Sequence, residues 1–171
     1  MKPADLIGYC GVYCGTCARW CENPALRQLA TALAELVDAH GFHYWMPEVV
    51  KEFDYAEFRK ALDFFSQENT WLVCQKGCKG GDGRPDCEIR DCCKSRGLDL
   101  CFDCEEFPCD KVKGDTKMIK RAEEYKKLGK DDWLRQQIEK ARQGFELHTE
   151  KYYQIWAREY PSSQSPNKNE R

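Results

Sequence analysis

Apolar residues recur along this chain at helical intervals over some stretches and lose all period over others. Over residues 24–40, Leu26, Leu29, Leu33, Leu36, Val37 and His40 follow one another at three- and four-residue steps. That spacing predicts a helix with one face turned to a core. Pro24 suits its first turn, Asn23 its N-cap and Gly41 its C-terminal stop. A second helix is predicted over residues 54–67, with Asp54 as its cap and Tyr55, Phe58, Leu62 and Phe65 sharing a face. Pro47 is expected to separate the two or to open a short turn.

The pattern then breaks. Gly77, Gly80, Gly81, Gly83 and Pro85 mark residues 74–87 as a loop. A short helix follows over residues 88–96, stopped by Gly97, and residues 98–109 read as irregular up to Phe107-Pro108-Cys109. Helical spacing returns with Met118, Ile119, Ala122, Tyr125 and Leu128, and Gly129 is the expected stop. Beyond it, Leu134, Ile138, Ala141, Phe145, His148, Tyr152 and Ile155 alternate four- and three-residue steps. They predict a heptad-like seam on one helix of about 28 residues. Gly144 weakens that helix by roughly 1 kcal/mol relative to alanine. The seam is expected to pack on its own domain, a partner surface being the alternative. Residues 161–171 lack apolar content and are expected to form a disordered tail. The fold class expected is mainly α: one domain over residues 1–160, with cysteine-rich metal-bound loops on a helical scaffold and little or no β-sheet.

Cysteine content changes this picture. The chain has 171 residues, of which 12 are cysteines, and its formal net charge is −2. A chain of this length and 42% hydrophobic content can bury a core without staples. The charge gives no basic excess of the kind that nonspecific nucleic-acid binding uses. No run is apolar and long enough to span a bilayer. Met1-Lys2-Pro3-Ala4-Asp5 leads into Cys10 without the apolar region of a signal peptide. A cytoplasmic location is therefore expected, where thiols persist and metal ligation is the usual reason for many cysteines.

The cysteines form two blocks: Cys10, Cys14, Cys17 and Cys21, then eight from Cys74 to Cys109. Thiols two to four residues apart can reach one ion from a single turn, and zinc takes about four of them in a tetrahedron. Cys10-x3-Cys14-x2-Cys17-x3-Cys21, Cys74-x3-Cys78 and Cys101-x2-Cys104-x4-Cys109 repeat that spacing, and Cys87-x4-Cys92 can bracket a helix start. A four-thiolate zinc site carries a formal −2, which Lys76, Lys79, Arg84, Arg90, Lys94 and Arg96 can offset. The alternative is that these are ordinary solvated loop charges. Cys10-x3-Cys14-x2-Cys17 also has the spacing of radical S-adenosylmethionine enzymes, but their barrel needs a longer, less helical chain. Iron–sulfur ligation is an alternative to zinc, although the ferredoxin run with its Cys-Pro end is absent.

The opening Tyr9-Cys10-Gly11-Val12-Tyr13-Cys14-Gly15-Thr16-Cys17 resembles the start of domain of unknown function 3795, a cysteine-rich bacterial and archaeal family. Cys74 and Cys78, then Cys87-Glu88-Ile89-Arg90-Asp91-Cys92, Lys94-x2-Gly97 and Cys101-x2-Cys104-Glu105-Glu106-Phe107-Pro108-Cys109 continue the resemblance. It covers roughly residues 7–112 and implies a zinc-binding protein with no assigned activity. Residue by residue it implies metal ligation by Cys10, Cys14, Cys17, Cys74, Cys78, Cys87, Cys92, Cys101, Cys104 and Cys109. Cys21 and Cys93 fall outside the family pattern. Ten positions exceed two four-cysteine sites, so two are spare or a ligand is shared.

The histidines are expected to be bystanders: His40 and His43 as surface or cap residues, His148 as a packed residue of the seam. Phe102 and Phe107 are expected under a zinc knuckle, base stacking being the alternative. No P-loop, dinucleotide fingerprint, G-x-S-x-G or HExxH is present, so no reaction is assigned. The function expected is a structural metal module holding about two zinc ions and meeting a protein partner rather than nucleic acid or membrane. A thiol or iron–sulfur redox enzyme and a nucleic-acid-binding zinc protein are the alternatives.

Overall fold

A computed structural model describes residues 2–153. The chain is mainly helical. Its helices are α1 (Ala25–Ala39), α2 (Phe42–Val49), α3 (Tyr55–Ser66), α4 (Glu88–Ser95), α5 (Thr116–Leu128) and α6 (Lys130–Arg142). Two-residue strands β1 (Phe145–Glu146) and β2 (Lys151–Tyr152) pair antiparallel, Phe145 opposite Tyr152. Single 3₁₀ turns at Pro3–Leu6, Cys14–Thr16 and Cys101–Asp103 punctuate the cysteine-rich loops. No helix of the described residues is long and apolar enough to cross a membrane.

Caps follow the sequence. Asp54 accepts the Glu57 N–H at 3.0 Å to start α3, and Asp115 accepts the Met118 N–H at 2.9 Å to start α5. Asn23, itself buried, accepts the Ala25 N–H at 3.1 Å, but the N-cap falls on Pro24 and α1 starts at Ala25, one residue later than the pattern placed it.

The helices pack in two separate cores. Ala34 and Val37 of α1 meet Leu62 of α3, with Phe42 and Phe58 closing over them. The larger core joins Leu6, Ile7, Tyr13 and Trp20 to Leu100, Phe102, Val112, Met118, Ala122 and Trp133. Cys93 and Cys101 are buried inside it. The α1–α3 unit hangs from this body by a short seam. Cys74 donates its N–H to the Arg19 carbonyl at 2.7 Å and accepts that of Cys21 at 3.0 Å. Arg19 reaches the Leu72 carbonyl at 2.8 Å and Arg27 the Cys21 carbonyl at 2.6 Å.

Three expectations are corrected. The apolar face of α1 is not the leucine face: Ala25, Ala30, Ala34 and Val37 are buried, while Leu29, Leu33 and Leu36 are 43%, 43% and 58% exposed. Small side chains let α3 approach closely, and the leucines are left outside. Pro47 lies inside α2 rather than between helices. That helix has no buried residue, so water can replace the hydrogen bond that proline does not donate. The long seam helix does not form. α6 ends at Arg142, and Gly144 takes φ +82° with its N–H bonded to Ala141. A Cβ on Gly144 would lie 2.3 Å from the Tyr153 carbonyl oxygen. The chain therefore turns into the β1–β2 hairpin, and His148 falls in its turn. Ile155 and residues 161–171 lie outside the described residues.

Candidate metal centre

The N-terminal cysteines sit on a tight turn. Gly8 donates to the Val12 carbonyl and Gly11 to Gly8, each at 2.8 Å, which folds Tyr9 and Cys10 into a knuckle. Gly11 has φ +70°, and a Cβ there would lie 2.1 Å from the Phe102 ring. Only glycine lets that ring close beneath the knuckle. Phe102 is 2% exposed and meets Phe107 edge-on with centroids 5.4 Å apart. Both aromatics thus pack under the cysteines, as the sequence suggested.

Opposite the knuckle, residues 75–87 are pinned by two charged side chains. The Asp82 carboxylate accepts the N–H groups of Gln75 and Lys76, each at 2.6 Å. Arg90, 7% exposed on α4, donates to the carbonyls of Asp82, Arg84 and Pro85 at 3.1, 2.8 and 2.6 Å. Arg90 is thus an organiser of this loop, not a solvated charge.

This scaffold brings thiols together in groups. In the first, Cys10 lies beside Cys78 and Cys87, near enough for their thiolate charges to repel. The Cys14 thiol is within reach of the charges of Cys78, Cys17 and Cys10, in decreasing order. The Val12 N–H donates to the Cys10 sulfur and the Cys78 N–H to the Cys14 sulfur. In the second group, Cys101 lies beside Cys109, Cys104 and Cys92. These four and Cys93 border a cavity of about 200 Å³ together with Arg96 and Phe107. Arg96 Nη1 lies 3.5 Å from the Cys104 sulfur, and Arg96 pairs with Glu106 at 3.0 Å. All twelve cysteines are free thiols.

Cys17 and Cys74, the remaining two of the ten, lie beside each other away from the second group. Of the two outside the family pattern, Cys93 is 2% exposed beneath Cys101, and Cys21 has Glu22 and Arg27 as its charged neighbours. The grouping cuts across the sequence spacing. Cys78 and Cys87 fall near Cys10, whereas Cys74 falls near Cys17 and Cys92 near Cys101. His40 and His43 stack on Phe42 and Tyr44 on the surface and meet no thiol. His148 does meet one: its Nε2 is 3.8 Å from Cys17 Sγ. Glu146 joins that pair, and one ligand atom from each of the three lies within 4.8 Å of the others. The sequence reading missed both residues by placing them in a helix that Gly144 ends.

Burial dominates the electrostatics. It raises the Cys10 thiol, pushes Cys14 and Cys101 up to about 11 and Cys93 up to about 12. Neighbouring thiolates add to this, while N–H donors and Arg121 beside Cys10 oppose it. These thiols stay protonated until a cation compensates them, so metal uptake would release protons. Clustered soft donors, with N–H groups aimed at sulfur, suit zinc. A separate cleft of about 450 Å³ between Tyr13, α5 and β1 is lined by Lys117, Lys120, Arg121 and Lys140, and by no cysteine.

A family model described as "Protein of unknown function (DUF3795)" matches residues 6–114. No curated protein and no solved structure matches the chain significantly. The family match spans more than half of the sequence, and the chain belongs to that family.

Proposed function

We propose that this family member is a structural zinc protein. One ion is held by Cys10, Cys14, Cys78 and Cys87, the other by Cys92, Cys101, Cys104 and Cys109. The two ions fasten irregular loops to a helical body, and the α1–α3 unit meets a protein partner. One observation carries the reading: cysteines drawn from distant parts of the chain gather into two neighbourhoods, one around Cys10, Cys14, Cys78 and Cys87, the other around a cavity lined by Cys92, Cys93, Cys101, Cys104 and Cys109. Four thiolates from each would make a closed structural zinc site. The charged cleft supports a structural over a catalytic role, since no thiol faces it. Leu29, Leu33, Leu36, Tyr44 and Trp45 stand exposed on α1 and α2, which supports a protein partner. Free thiols in this number fit a reducing cytoplasm.

Zinc stoichiometry of purified variants tests the assignment. Cys14→Ser and Cys104→Ser should each lose one equivalent, and Cys93→Ser should lose none. Loss from Cys93→Ser with retention in Cys104→Ser would defeat the ligand set. A second reading puts an iron–sulfur cluster in the Cys92 group, favoured by the cavity of about 200 Å³ that its thiols border. Anaerobically purified protein that is coloured and contains iron and sulfide would establish that reading instead.

A further inference from the structure

We propose that Cys17, Glu146 and His148 form a third zinc site that clasps the C-terminal hairpin onto the cysteine-rich body. The site uses neither four-cysteine group. Two of its donors follow residue 114, where the family match ends, so the matched segment alone does not carry the site.

The geometry is that of a ligand triangle. Zinc bonds of about 2.3 Å to sulfur and 2.05 Å to nitrogen make a tetrahedral S···N edge of about 3.6 Å. Cys17 Sγ and His148 Nε2 are 3.8 Å apart. The carboxylate has bonding capacity left. Glu146 Oε2 accepts the N–H groups of His148 at 3.0 Å and Thr149 at 2.8 Å, which fills it. Among the described residues Glu146 Oε1 accepts only the Ala18 N–H, at 3.3 Å, which leaves it a lone pair. A nucleophilic Cys–His–Glu relay has a different shape. It needs thiol and carboxylate at opposite ends of the imidazole, whereas all three donor atoms here lie within 4.8 Å of one another. Thiolate, imidazole and carboxylate together are donors that zinc accepts, and three protein ligands leave the fourth position to water.

Backbone already fixes the pieces. Leu147 donates to the Thr16 carbonyl at 3.1 Å, which aligns the hairpin beside Cys17. Glu146 is 4% exposed and held by three N–H groups, while His148 is exposed, so an ion reaches the site from solvent.

Native mass spectrometry of the zinc-loaded full chain tests this with His148→Ala and Cys17→Ser. Each variant should carry one zinc fewer than the parent. Hydrogen exchange in His148→Ala should also quicken over residues 145–152. His148 is exposed, so its loss should leave the fold intact. Equal zinc content in parent and His148→Ala overturns the proposal. So does a loss in Cys17→Ser alone, because that thiol would then serve another group. A His148-dependent zinc in a chain whose four-cysteine groups bind none supports this site while removing the earlier reading.

Discussion

The α1–α3 unit and the cysteine-rich body solve the same problem with different materials. Between helices, Ala34, Val37 and Leu62 interlock under Phe42 and Phe58, and regular hydrogen bonding satisfies the backbone. In the body, residues 74–87 and 98–109 have little regular structure, and their shape comes from Asp82, Arg90 and grouped thiols. The body does own an apolar core, centred on Phe102, Met118 and Trp133. That core holds α5, α6 and the knuckle, but it leaves Cys78, Cys87, Cys104 and Cys109 on its margin. Ordinary packing thus suffices for one region, whereas on the proposed reading the loops of the other depend on what the thiols bind.

Removing metal should separate the two regions by the widest margin. Structural zinc contributes on the order of 10 kcal/mol to folding in small zinc domains. A chelator should therefore abolish amide protection over residues 74–109 and at the knuckle, while α1 and α3 keep theirs. Hydrogen exchange before and after chelation is the measurement. Protection that survives metal loss across residues 74–109 would show that the loops pack unaided, and the comparison would break.

The converse experiment has a smaller effect. Leu62 is 8% exposed and faces Ala34 and Val37. Leu62→Ala should cost about 2–5 kcal/mol by the lost burial and the cavity left behind. The cost should appear as faster exchange in α1 and α3, with zinc content unchanged. A loss of zinc in this variant would show that the two cores are coupled through the Arg19–Cys74 seam.

Sequence patterns carried the helices well where a cap or a stop fixed them. Asp54, Gly97 and Gly129 each act as read, because their signals are local. The failures are non-local. Leucines and alanines both recur helically on α1, and only α3 decides which set is covered. Gly144 reads as a defect of about 1 kcal/mol in a helix. What ends the helix is the Tyr153 carbonyl packed where a side chain would stand. The cysteines were visible as chemistry, and their spacing gave local pairs. It could not give the groups, since Cys78 meets Cys10 and Cys14 across a long stretch of chain. Glu146 and His148 were hidden for the same reason as the hairpin that carries them.

The smallest expected effect sharpens the comparison at the face where pattern and packing disagree. Leu33 is 43% exposed and Ala34, next to it, is 7% exposed. Leucine and glutamate have similar helix propensity, and a change at an exposed site usually moves stability by about 0.5 kcal/mol or less. Leu33→Glu should therefore leave the melting temperature nearly unchanged, although the leucine looks like core in the sequence. Ala34→Leu should cost more, about 1–3 kcal/mol, because α3 leaves no room for a larger side chain there. Thermal melts of the two variants side by side decide the matter. A large loss in Leu33→Glu with little in Ala34→Leu would mean that α1 is rotated to bury its leucines, and the small-residue contact with α3 would be wrong. The expected order leaves Leu29, Leu33 and Leu36 facing outward at no benefit to the unit's own stability. An apolar stripe of that kind is what a partner's apolar surface would cover.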